Sequence, residues 1–134
     1  MPYVLPAARV QPPHVGMEGG RFRENPRYPN YVNSQLADGP AAVEPLRYDG
    51  PREHARSILL AIVEEDPRAE LKRVLEDYLH VEYRAMVFID DVEFYLPADE
   101  PVVHVRSVSR LGRSDLGANK RRYRKIAAAF SSRV

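Results

Sequence analysis

The spacing of apolar residues changes along this chain, and each change marks an element. Ala55, Ile58, Leu59, Ile62 and Val63 recur at intervals of one, three or four, while Arg52, Glu53, Arg56 and Glu64 take the other faces. That period predicts an amphipathic helix. Pro51 fits its first position, Asp49 or Gly50 stands near the cap, and Pro67 lies just beyond its end. Beyond Pro67 the period drops to two. KRVLEDY and YLHVEYR read as short strands separated near Asp77, and in the second Leu79, Val81 and Tyr83 alternate with His80, Glu82 and Arg84. In the third run Val87 and Ile89 are apolar at odd positions, whereas Val92, Phe94 and Leu96 are apolar at even ones. A switch of parity at Asp90-Asp91 predicts a bulge or bend that re-aims polar side chains. Pro97 to Pro101 makes a turn, VVHVRSVS returns as a fourth strand, LGRSDLGAN is a loop, and Tyr123, Ile126, Ala127 and Phe130 mark a final amphipathic helix. The expected fold is α+β, an antiparallel four-stranded meander covered on one face by two helices.

The first fifty residues follow no such period. They hold eight of the twelve prolines, spaced so that no helix of useful length fits between them. Residues 1–28 therefore read as a proline-rich extended arm or tail, and 29–134 as a single α+β domain. Tyr3, Val4 and Leu5 either belong to a solvated tail or form an arm lying on this domain or on a protein partner. A chain of 134 residues is one domain, and folding at that size buries roughly two thirds of the surface exposed by the unfolded chain. With 44% hydrophobic and 29% charged residues, the composition is that of a globular protein rather than a disordered or fibrous one. No apolar run approaches the ~20 residues that cross a bilayer, so no transmembrane segment is expected. MPYVLPAARV lacks the charged-then-apolar order of a signal peptide. The compartment stays open.

Charge is uneven although the net value is only +1. Asp90 to Glu100 holds five acids and no base, and His104 to Lys125 holds eight Lys or Arg against the single acid Asp115. Lys120, Arg121, Arg122, Arg124 and Lys125 fall in the first turns of the last helix, where the macrodipole disfavours each exposed cation by roughly 0.3–1 kcal/mol. Something anionic is expected to compensate. The internal candidates are Asp90, Asp91, Glu93 and Asp115. The external one is a small anion held by helix amides and a set comprising Arg106, Ser109, Arg110, Ser114, Asn119 and Arg122. A nucleic-acid face is disfavoured by the near-neutral total, the lack of a recognition motif and the scatter of aromatic residues.

The acids Asp90, Asp91 and Glu93 read either as a paired acid and base or as partners of Arg106 and Arg110 on the adjacent strand. The second, structural reading is preferred. Ser34, Gln35 and Asp115 join that polar network, with Asn119 or Asp115 capping the helix and Gly112 and Gly117 supplying turns of positive φ. His104 lies on the strand face opposite Ser107 and Ser109, which separates it from either as a base. His14, His54, His80 and His104 lack ligand-like spacing, so neither a metal nor a cofactor is expected. Without cysteine there is no disulfide, thiolate nucleophile or cysteine-bound zinc.

Several of these segments are familiar together. PNYVNSQ, AVEPLRY, FIDDVEFY and the run Arg106, Ser107, Ser109, Arg110, Gly112, Ser114, Asp115, Gly117 and Asn119 resemble the bacterial and plant family catalogued as domain of unknown function 1499, over roughly Pro29 to Phe130. Relatives commonly carry a cysteine where this chain has Tyr31, so the resemblance implies no thiol role here. It also implies relatives that are often exported or membrane-anchored, and it carries no established reaction. The functional expectation is a non-enzymatic accessory or binding domain that contacts an anionic group or a larger protein assembly. The alternative is a small-ligand-binding protein or hydrolase acting on an anionic substrate, with Asp91 or Glu93 as base and Arg106 and Arg110 as clamps.

Overall fold

The computed structural model describes residues 14–23, 25, 30–110 and 117–134. Eight strands and two helices follow in order: β1 Met17–Glu18, β2 Arg21–Phe22, β3 Tyr31–Asn33, β4 Leu46–Arg47, α1 Arg52–Glu65, β5 Ala69–Val74, β6 Tyr78–Ala85, β7 Phe88–Tyr95, β8 Val102–Ser109 and α2 Ala118–Arg133. The β5–β8 segments form the expected antiparallel meander, each paired to the next. The sheet is larger than four strands, however. Both β3 and β4 add to the free edge of β8, Val32 opposite Ser107 and Leu46 opposite Val103, giving six strands. β1 and β2 form a separate two-stranded hairpin.

The two helices lie over one face of the sheet. Leu79, Val81 and Tyr83 of β6, Val92 and Phe94 of β7, and Val103 and Val105 of β8 pack there with Ala55, Ile58, Leu59 and Val63 of α1 and Ile126 and Phe130 of α2. These residues follow the period predicted for each element, so one apolar stripe meets another. α1 starts after an extended Pro51, which lacks a side-chain cap. α2 starts after Gly117, whose φ of 79° is the left-handed conformation expected of it. Asn119 does not cap that helix; it sits one residue inside its start, fully buried.

The expected bulge at Asp90-Asp91 does not form. Asp90 and Asp91 pair in unbroken register with Tyr83 and Glu82 on one side and with Ser109 and Val108 on the other. The parity switch arises because β7 is covered on both faces: Asp90, Val92 and Phe94 face the helices, while Ile89, Asp91 and Glu93 face the opposite way and are buried too. The only register shift in the β6-centred pairings falls in the edge strand β5, between Leu71 and Arg73. A kink beside Lys72 blunts an otherwise open edge.

The second face is covered by residues 14–23, which the sequence reading assigned to the arm. Gly19 and Gly20 turn the β1–β2 hairpin with φ of 58° and 77°, and Gln35 fastens it, accepting the Phe22 N–H at 2.8 Å and donating to the Gly20 carbonyl at 3.0 Å. Tyr3, Val4 and Leu5 lie outside the described residues. Among the described residues, no helix is long and apolar enough to cross a membrane.

Candidate functional site

On the hairpin-covered face, side chains from neighbouring strands form a buried ionic layer. Glu93 and Arg106 are directly opposed on β7 and β8. Arg106 donates from Nε and Nη2 to Glu93 Oε1 at 2.9 and 2.7 Å, and it also donates to the backbone carbonyls of Arg23 (2.6 Å) and His14 (2.7 Å). The other Glu93 oxygen accepts the Tyr78 hydroxyl at 2.6 Å and the Gly16 N–H at 2.7 Å. The Arg106 guanidinium also stacks over Phe22, 5.0 Å from the ring centre. Burial first, and then the Glu93 carboxylate, push the Tyr78 hydroxyl far above its ordinary pKa, so it remains a donor.

A second ionic group adjoins the first. Asp91 Oδ1 meets His80 Nε2 at 2.7 Å, and Arg110 spans Asp91 and Glu82, with Nε to Asp91 Oδ2 at 2.8 Å and Nη2 to Glu82 Oε2 at 2.6 Å. Burial opposes ionisation of Asp91, but hydrogen bonds from Arg110 and His80 outweigh it and hold the carboxyl below the usual range. His80, Glu82 and Asp91 present ligand atoms within 4.8 Å of one another, a spacing compatible with a metal ion. The Arg110 guanidinium bonds both carboxylates from within that group, so the positive charge a metal would supply is already present.

On the helix side, a polar cluster anchors α2 to the sheet. Asn119 Oδ1 accepts the Ser107 hydroxyl at 2.5 Å, while its amide donates to the Asn30 carbonyl at 2.8 Å and to Ser109 Oγ at 2.9 Å. Arg122 Nη1 lies 2.8 Å from Asp90 and also reaches Ser107 and Asn119. Within the basic run, Arg122 has Asp90 as an internal counter-charge. Lys120, Arg121, Arg124 and Lys125 are exposed.

A cleft of about 320 Å³ opens between the C-terminal end of α1 and the outer half of α2. Ile62, Tyr83, Ile126 and Ala129 are among its lining, and Arg122 and Lys125 stand on its α2 side. The Arg122 guanidinium stacks on the Tyr83 ring at 5.0 Å. An exposed Arg133–Glu65 pair, at 2.6 and 2.8 Å, belongs to the same rim.

The model of the family described as Protein of unknown function (DUF1499) matches residues 21–130. The chain belongs to this family. No curated protein and no solved structure matches it.

Within this DUF1499 chain, the residues predicted as one anion site are divided. Arg106 and Arg110 lie in the hairpin-side ionic layer, paired with Glu93 and with Asp91 and Glu82. Ser109, Asn119 and Arg122 lie on the helix side, and Ser114, Asp115 and Gly112 fall outside the described residues. Of the predicted polar network, Asp91 and Glu93 do meet Arg110 and Arg106, whereas Asp90 meets Arg122 across the sheet. Ser34 binds the neighbouring strand: its Oγ accepts the Val105 N–H at 2.8 Å and lies 3.0 Å from His104 Nδ1. That Ser34–His104 pair and the cleft around Tyr83 were missed by sequence reasoning. Both depend on pairings across dozens of residues, and no local motif announces either.

Proposed function

We propose that this DUF1499 chain is a non-enzymatic binding domain, an accessory module whose strongest ionic groups hold its own scaffold together. The observation that carries this reading is the burial of Asp91, Glu93 and Arg106, each with 0% exposure and each already bonded. A general base must come within hydrogen-bond reach of the proton it removes. Here that reach is occupied by Arg106, Tyr78, Gly16, His80 and Arg110. The hydrolase alternative through Asp91 or Glu93 needs those partners to leave.

The Ser34–His104 contact sets a hydroxyl beside an imidazole, but Ser34 is buried and its oxygen already accepts the Val105 N–H. Among the described residues, no carboxylate hydrogen-bonds His104 to orient it. Recognition is instead supported at the α1–α2 cleft, whose volume falls at the lower end of the ~300–1,000 Å³ typical of small-molecule sites.

The test compares wild type, Ser34→Ala and Asp91→Asn in the hydrolysis of p-nitrophenyl acetate and p-nitrophenyl phosphate. The expected result is the same background rate for all three. Turnover by wild type that disappears in a folded Ser34→Ala or Asp91→Asn protein would overturn the non-enzymatic reading.

A further inference from the structure

We propose that the α1–α2 cleft is a site for a small amphipathic carboxylate, an alkyl or aryl monocarboxylate whose apolar body lies on Ile62, Ile126 and Ala129 and whose carboxylate meets Tyr83, Arg122 and Lys125. This assignment rests on the binding-domain reading and gives it a ligand class.

The first support is an unspent donor at the open end of a largely buried side chain. Tyr83 is only 3% exposed, yet it lines the cleft, and its hydroxyl has no hydrogen-bond partner among the described residues. The hydroxyl itself opens to the cleft, where solvent or a ligand satisfies it. Burial, and then the nearby Asp66 carboxylate, push its pKa up to about 12, which keeps it a donor at any physiological pH.

The second support is the way Arg122 distributes its donors. All its contacts with Asp90, Ser107 and Asn119 run through Nη1. Nε and Nη2 have no hydrogen-bond partner among the described residues, and Arg122 lines the cleft. Its position is fixed by Asp90 and by stacking on Tyr83, so two donors of a rigid fork are held ready without further ordering. Lys125, also in the lining, has no ion-pair partner among the described residues.

The acids of the cleft are more committed than its bases. Glu65 is held by both terminal nitrogens of Arg133, and Asp66 Oδ1 accepts the Arg68 N–H at 2.9 Å. Unspent donors therefore outnumber unspent acceptors, and the complementary ligand group is an acceptor carrying negative charge. The aliphatic and aromatic walls demand that the rest of the ligand be apolar, which disfavours inorganic phosphate. Space of about 320 Å³ suits a molecule of that modest size.

The experiment is an amide-resolved NMR titration of the full chain with octanoate, octylammonium and 1-octanol. Octanoate is expected to give saturable shifts at the α1 end near Glu65 and along α2 from Arg122 to Arg133. Tyr83→Phe and Lys125→Ala should each weaken that binding by roughly tenfold or more, as loss of one hydrogen bond to a charged group predicts, with the thermal midpoint of Tyr83→Phe unchanged. Saturation of the same amides by octylammonium or 1-octanol but not octanoate would overturn the carboxylate assignment while leaving the cleft as a binding site. Silence at these amides with all three probes would overturn the assignment and remove the cleft from the binding reading.

Discussion

Arg106 and Glu93 face each other across two paired strands, and each is also tied to the backbone of the hairpin segment above them. Arg106 reaches the carbonyls of His14 and Arg23, and Glu93 receives the Gly16 N–H. The pair therefore joins the sheet to its cover as well as one strand to the next. Arg106→Ala leaves the Glu93 carboxylate buried beside only its two remaining donors. The expected loss is about 3–5 kcal/mol in urea denaturation. A Glu93→Leu/Arg106→Met double variant should recover less than half of that loss, because it strands the Gly16 N–H, the Tyr78 hydroxyl and two carbonyls. Full recovery would show that the link to the hairpin contributes little.

Two buried tyrosines on β6 should respond to loss of the hydroxyl by different amounts. The Tyr78 hydroxyl donates to Glu93, whereas the Tyr83 hydroxyl has no partner among the described residues. Tyr78→Phe should cost about 1–3 kcal/mol and Tyr83→Phe less than about 0.5 kcal/mol. Chemical denaturation of the two variants side by side decides it. Equal losses would contradict the assignment of Tyr83 to an open cleft.

Arg110→Ala separates an internal role from an anion site. Its side chain is 2% exposed and bridges Asp91 and Glu82. Its removal should lower stability by about 3–5 kcal/mol. Inorganic phosphate should raise the thermal midpoint of neither protein, since a ligand stabilises only the state that binds it. A phosphate-dependent rise in wild type that vanishes in Arg110→Ala would restore the anion site predicted from the sequence.

Acid should weaken the fold in two stages. His104 and His14 both have pKa values lowered from 6.5, chiefly by burial. Between 6.5 and the lower folded values, the unfolded chain binds more protons than the native one, so stability falls as pH falls through that window. Asp91 acts lower. Its depressed folded pKa gives stability that is present above its ordinary 3.8 and is lost as pH falls through the folded value. Denaturant midpoints between pH 7.5 and 5 should decline in wild type and decline less in His104→Gln.

The parts of the fold legible in the sequence are those whose residues answer to a local period. The Ala55-to-Val63 and Tyr123-to-Phe130 stripes gave both helices, and the alternation of Leu79, Val81 and Tyr83 gave the core face of β6. β3 and β4 were not legible, being three and two residues long and paired with a strand far along the chain. The β1–β2 hairpin did have a signal: two glycines, Gly19 and Gly20, between short flanking strands are a two-residue hairpin turn.

The division of the predicted anion site was likewise present in the parity of β8. Arg106 is even-numbered, and Ser107 and Ser109 are odd, so an unbroken strand sends them to opposite faces. The acidic pair Asp90-Asp91 misled for a related reason. A strand covered on both sides carries interior residues at every position, and alternation then records two interiors rather than a bend.

The hairpin cover has a consequence for how the chain is made. Gly16 finds its carboxylate partner 77 positions later, and the His14 carbonyl finds its guanidinium 92 positions later. At about 5–20 residues per second, a ribosome takes roughly 4–18 seconds to supply those partners. Throughout that interval the earliest-made part of the described structure has no surface to settle on, so what is synthesised first is among the last to find its place.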